Sequence, residues 1–173
     1  MEAKILEQYG SIRLGIPDDT PISLLHIGEQ QTVVATGTGA EPSAVIKLPV
    51  GSRKTAVEYF QHDPPKPSEI ENAIVAVEDA VAILRTRISE GTKLFTTDEA
   101  VRKIALISGV PDGAELILNR EVMERTFERL IAVSLGRPAS REGIPTNVTF
   151  AATLLILREF MHHLQLLSIT VNA

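Results

Sequence analysis

At Gly51 the hydrophobic period of the chain changes from short strand-like runs to stripes that recur every three or four residues. Before it, residues 23–27, 31–36 and 43–48 are rich in Val, Ile, Leu and Thr and are separated by Gly28-Glu29-Gln30 and by a Gly-rich segment ending at Pro42. This predicts a three-stranded meander. After it, residues 52–61 read as a short helix, stopped by the proline-rich loop His62-Asp63-Pro64-Pro65-Lys66-Pro67. Ser68 and Glu71 have capping-box spacing, and Ile70, Ile74, Val77, Val81, Leu84 and Ile88 form one apolar stripe. A helix with one such face has to lie on a sheet. Gly91 ends it, residues 92–95 read as a strand, and Thr96 with Glu99 opens a helix that Gly109 and Pro111 stop. Asn119 caps a further helix with the stripe Val122, Met123, Thr126, Phe127, Leu130 and Ile131. Residues 147–164 are apolar nearly all round in their first half, which predicts a central buried helix, and residues 168–171 close the chain as a strand. The expected fold is α/β, a mixed five-stranded sheet with helices on its faces, in a single domain over residues 21–173 after a lead-in segment, residues 1–20.

Composition narrows the function. A formal net charge of -5, with 17 scattered Lys and Arg, offers no basic patch, so no nucleic acid is expected as a partner. The 173 residues include no cysteine, which excludes disulfides and thiolate chemistry and suits a reducing compartment. The longest apolar run, residues 151–157, is too short to span a bilayer, and no signal peptide is visible, so no membrane is expected and the location is expected to be cytoplasmic.

Strand and helix order matches the ribonuclease H-like half-domain of the actin, sugar kinase and Hsp70 superfamily. Several segments are more specific: "LLHIGEQQT", "KLPVGSRKTAVEYF", "HDPPKPSEIENAIVAVEDAV", "ILNREVMERTFERL" and "AATLLILREFMHHLQLLSITVNA". Together they resemble, in order and spacing, the second domain of the exopolyphosphatase and guanosine pentaphosphate phosphohydrolase (Ppx/GppA) family. The resemblance implies a phosphoanhydride hydrolase, with Mg2+ if active, whose first phosphate loop is Asp-Ile-Gly-Gly-Gly-Ser-Thr. Its Asp falls at His26, its glycines at Gly28, Glu29 and Gln30, its Ser at Gln31 and its Thr at Thr32. The acidic residue that follows, which the resemblance assigns to metal or water, falls at Val33.

A phosphate loop needs glycine because backbone N–H groups must approach the anion unobstructed. Glu29 instead brings a charge of the wrong sign. The second loop, "LFTTDEAV", places Thr96 and Thr97 before Asp98 and Glu99 at a helix start. A helix N-terminus attracts anions, but these carboxylates already complement its dipole. At an effective dielectric of about 20, one like-charge contact at ~4 Å costs on the order of 4 kcal/mol before solvent relaxes. Both loops therefore read as degenerate phosphate-loop remnants.

Glu2-Ala3-Lys4 resembles the family's Glu-Ala-Arg stretch, which makes Glu2 the one candidate catalytic base; its other reading is a solvated terminal residue. His162 and His163 are adjacent on one helix, so they diverge by about 100 degrees and cannot both ligate one ion from it. His62-Asp63 reads as a turn pair and His26 as a strand-end histidine, structural or functional, so no metal site is expected. Three readings follow: a degenerate Ppx/GppA-like lobe acting by binding or as a homodimer, part of an active phosphohydrolase that needs a missing partner lobe, or an unrelated ribonuclease H-like interaction module.

Overall fold

The structure, a computed structural model, describes residues 2–173. Strands β1 (Ile22–Ile27), β2 (Thr32–Gly37) and β3 (Ala44–Leu48) pair antiparallel, placing His26 opposite Val33 and Val33 opposite Lys47. Two helices follow, α2 (Ser52–Tyr59) and α3 (Pro67–Val81). Strand β4 (Lys93–Thr96) then lies parallel to β1, and β6 (Ser168–Asn172) parallel to β4. Between them in sequence come α4 (Glu99–Ile107), β5 (Glu115–Asn119), α5 (Arg120–Ser134), the single turn α6 (Ala139–Glu142) and α7 (Val148–His163). The sheet therefore has six strands in the order β3-β2-β1-β4-β6-β5, one more than the sequence predicts. Five of them keep the expected mixed ribonuclease H-like arrangement. The sixth, β5, is an edge strand antiparallel to β6. Its Leu116 and Leu118 are buried, but Ile117 between them is exposed, so the apolar and polar alternation is broken at the centre of the strand.

The larger core lies on one face of the sheet. Leu25, Ile27, Val34 and Ile46 meet Val77 and Val81 of α3, Ile104 of α4, Leu130 of α5 and nearly all of α7. Residues 150–157 of α7 are buried without interruption, as the all-round apolar pattern predicts. Asn147 caps this helix by accepting from the Phe150 N–H at 2.6 Å. On the other face a smaller cluster joins Ile22, Leu24, Val33, Ala35 and Phe95 to Ile5 and Tyr9. Those two residues belong to α1 (Glu2–Arg13), a helix formed within the expected lead-in segment. Arg13 ties its end down by donating to the carbonyls of Pro17, Thr20 and Gly37. No described helix is long and apolar enough to cross a membrane.

Three helix boundaries differ from the sequence reading. Helix α3 starts at Pro67, and Glu69 rather than Glu71 returns to accept from the Lys66 N–H at 2.6 Å. Proline suits this first helical position because its missing N–H would have no partner there. The apolar stripe continues past Val81 through a 3₁₀ turn, Ala82–Thr86, that still buries Leu84. Helix α4 begins at Glu99 with Asp98, not Thr96, in the capping position.

Burial alone would raise the Glu69 pKa, but hydrogen bonds from His62 and from the Lys66 and Gln61 N–H groups outweigh it and hold the carboxyl at about 2. A depressed folded-state pKa stabilises above the unfolded value near 4.5 and loses that contribution as pH falls toward 2. Glu69→Gln should therefore lower stability at neutral pH by about 1 kcal/mol, the usual worth of a helix cap. It should also flatten the acid limb of the profile, as urea unfolding at a series of pH values would show.

Candidate functional site

Parallel strands β1 and β4 end side by side, and the crevice beyond the carboxyl ends of parallel strands is where α/β sheets bind ligands. Two short connections meet there: residues 28–31 after β1, and Thr97-Asp98 after β4. The first is a tight turn in which the Gly28 N–H bonds the Gln31 carbonyl at 3.0 Å. A Cβ at Gly28 would come within 2.8 Å of that carbonyl, so glycine is required. Glu29 and Gln30 are exposed at its tip, Gln31 is half-buried, and the buried Thr32 donates through its hydroxyl to the Val50 carbonyl at 2.8 Å.

The tip presses onto the start of α2. A Cβ on Gly51 would sit 2.5 Å from the Glu29 carbonyl oxygen and the Gln30 carbonyl carbon, so only glycine permits this approach. The approach has an electrostatic consequence. The N–H of Ser52 bonds the Gly28 carbonyl at 2.9 Å, and those of Arg53 and Lys54 bond the Glu29 carbonyl at 3.0 and 2.9 Å. These are first-turn donors that a helix would otherwise offer an anion, and the loop's own oxygens take them. The Glu29 side chain adds only a loose, exposed ion pair with Arg53 at 3.9 Å.

The second connection closes the site from the other side. Thr96 is fully buried, and its hydroxyl accepts from the Asp98 N–H at 3.1 Å. The Asp98 carboxylate makes no capping bond on its own helix. It crosses to β1, where Oδ2 accepts from the Ile27 N–H at 2.7 Å and Oδ1 lies 2.6 Å from His26 Nδ1. An acidic side chain is thus seated on a backbone donor of the first loop. Thr97 is half-buried and lines a groove of about 580 Å³ with Lys4, Gln8 and Phe95.

The hydrogen bond to Asp98 raises the His26 pKa, partial burial opposes it, and the Asp98 charge adds to the rise. Its ring also packs beneath the turn, where a Gly28 Cβ would lie 3.4 Å from Nε2. Glu2 is placed elsewhere. It is exposed and bonds Lys47 Nζ at 2.9 Å, and that hydrogen bond lowers its pKa. Lys47 lies two strands away from His26 in register, roughly 10 Å across the sheet. A carboxylate held down by a lysine is a weak base at neutral pH.

Neither Val33 nor Asp98 is placed to hold Mg2+. Val33 offers no oxygen from its side chain, and both carboxylate oxygens of Asp98 already serve His26 and Ile27. Among the described residues, the acid and histidine ligand atoms that do converge are those of Glu78, Glu159 and His163, on α3 and α7. This set spans two helices, so it is not visible in the histidine pairs of one helix. The i,i+4 spacing of Glu159 and His163 was the available signal.

No protein-family model matches the sequence, and no curated protein matches it. Solved structures do match. The chain has the actin-like fold seen in the Ppx/GppA phosphatase of Aquifex aeolicus, with a TM-score of 0.77 at 14% identity, over 95% of this chain and 57% of that one. An exopolyphosphatase from Cytophaga hutchinsonii gives a TM-score of 0.77 at 14% identity, over 99% and 59%. An exopolyphosphatase-like protein gives 0.63 at 12%, over 90% and 55%. The chain therefore spans little more than half the length of the structures it matches.

If Asp98 sets the protonation of His26, Asp98→Asn should bring the His26 pKa down toward 6.5, read from the imidazole resonances in an NMR pH titration. A raised folded-state pKa stabilises fully below the unfolded value and loses that contribution as pH rises through the folded one. The stability gap between parent and Asp98→Asn should accordingly narrow above neutral pH.

Proposed function

We propose that this chain is a Ppx/GppA-like lobe with closed phosphate loops, acting by binding a partner or a second copy of itself rather than by hydrolysis. The observation that carries this reading is the Asp98 carboxylate on the Ile27 N–H and His26, because it occupies donors that a phosphate oxygen would need. Phosphoryl transfer depends on positioning and on charge stabilisation, and the loops supply neither. The start of α2 is spent on the Gly28 and Glu29 carbonyls, and Glu2 is spent on Lys47.

A second reading has its own support. The chain covers only 57% of the Aquifex aeolicus phosphatase, so a partner lobe could complete the groove that Lys4 and Gln8 of α1 line with Thr97. In that case hydrolysis would need Glu2 released from Lys47 and Asp98 displaced from Ile27.

Assay of phosphate release from polyphosphate and guanosine pentaphosphate with Mg2+, together with sedimentation equilibrium, separates the two. The expected results are no turnover and a homodimer. Turnover by the unmodified chain that disappears on Glu2→Gln would overturn the inactive reading and make Glu2 the base, turnover only when the partner lobe is added would support the second reading, and a monomer at micromolar concentration would remove self-association.

A further inference from the structure

Far from the loops, at the opposite ends of β4 and β6, an open cavity of about 880 Å³ is lined by Thr92, Lys93, Ser168 and His163. His163 Nε2 lies 3.4 Å from Glu78 Oε1 and 3.5 Å from Glu159 Oε2, and all three ligand atoms fall within 4.8 Å of one another. We propose that Glu78, Glu159 and His163 form a binding site for a divalent cation of the zinc class, with a fourth position left to water.

The distances favour coordination over ion pairing. Charge-assisted hydrogen bonds run at about 2.7–2.9 Å, so these contacts are too long to satisfy the groups that make them. Glu159 Oε2 and His163 Nε2 are indeed buried and have no hydrogen-bond partner. In a tetrahedron with bonds of about 2.0–2.1 Å, neighbouring ligand atoms are about 3.4 Å apart, the separation found on two of the three edges. The third edge can close because the Glu78 side chain is 42% exposed and free to turn, whereas that of Glu159 is 1% exposed and fixed.

Charge points the same way. Arg158 donates to Glu159 Oε1 at 2.5 Å and also bonds Glu124 at 2.9 Å, so one cation is divided between two carboxylates. Oε2 is left buried with only the His163 ring nitrogen facing it, at 3.5 Å and too long for a good hydrogen bond, a costly state that a metal ion relieves. Two glutamates and one imidazole form a mixed oxygen and nitrogen set that zinc accepts readily.

One neighbour competes. Arg85 Nη2 lies 2.9 Å from His163 Nδ1 and its Nε donates to the His163 carbonyl at 3.3 Å. An arginine cannot accept, so Nδ1 accepts a hydrogen bond from the guanidinium and the neutral ring carries its hydrogen on Nε2. Metal binding at Nε2 moves that hydrogen to Nδ1 by tautomer exchange with solvent, and the exposed Arg85 has to swing away. Arg85 is therefore a brake on the site.

Calorimetric titration of the tag-free chain with ZnCl2 tests this. The expected result is one ion per chain, with Glu78→Gln and His163→Gln each weakening binding by at least about tenfold and Arg85→Ala tightening it. Glu78→Gln alters a half-exposed side chain, so circular dichroism should show its fold intact even if His163→Gln is destabilised. No saturable uptake by the parent chain, or uptake unchanged in a folded Glu78→Gln, would overturn the proposal.

Discussion

Helix α7 is apolar nearly all round in its first half, and it can be so only because the sheet, α2, α3, α4 and α5 all close around it. Eleven of its sixteen residues are buried, and each large apolar side chain among them contributes roughly 1.5–3 kcal/mol by leaving water. The order of the layers follows from this requirement. The sheet presents Leu25, Val34 and Ile169 to α7, the flanking helices turn their stripes inward, and β6 leaves the end of α7 to run parallel to β4. With β4 held between β1 and β6, the connections after β1 and β4 must lie side by side.

That adjacency makes Asp98 the central residue of the cleft. Its carboxylate satisfies a backbone donor at the end of β1 and a histidine on the same strand, while the turn after β1 occupies the first N–H groups of α2. Each contact improves the fold by pairing a polar group that would otherwise lie half-buried without a partner. Each also removes a donor that an anion would use. On the proposed reading, the stability of the cleft and its capacity for phosphate are in direct competition, and this sequence resolves the competition toward stability.

Much of this was legible in the sequence. The meander, the stripe of α3, the buried α7 and the last strand all carry hydrophobic periods that depend on the chain alone. Glu29, Gln30 and Val33 could be set against the phosphate loop only through the resemblance. Strand β5 was hidden by the exposed Ile117, and α1 by its position in a polar lead-in whose Ile5 and Tyr9 gain meaning only once the second sheet face exists. Asp98 was legible as a charge at a helix start, but its partners were not. Residues 26 and 98 are 72 positions apart, and only the parallel pairing of β1 with β4 brings them within 2.6 Å. The trio on α3 and α7 was missed for the same reason, since Glu78 joins it through packing between helices.

The central claim is that an internal carboxylate holds the donor a phosphate would need. Following the backbone amide resonances of Ile27, Gly28 and Asp98 during titration with tripolyphosphate and Mg2+ tests it most directly. If Asp98 keeps its bonds to β1, these resonances should stay in place across the titration. A saturable displacement of the Ile27 and Asp98 amides would mean that the polyphosphate displaces the carboxylate, and the cleft would then be a working phosphate site.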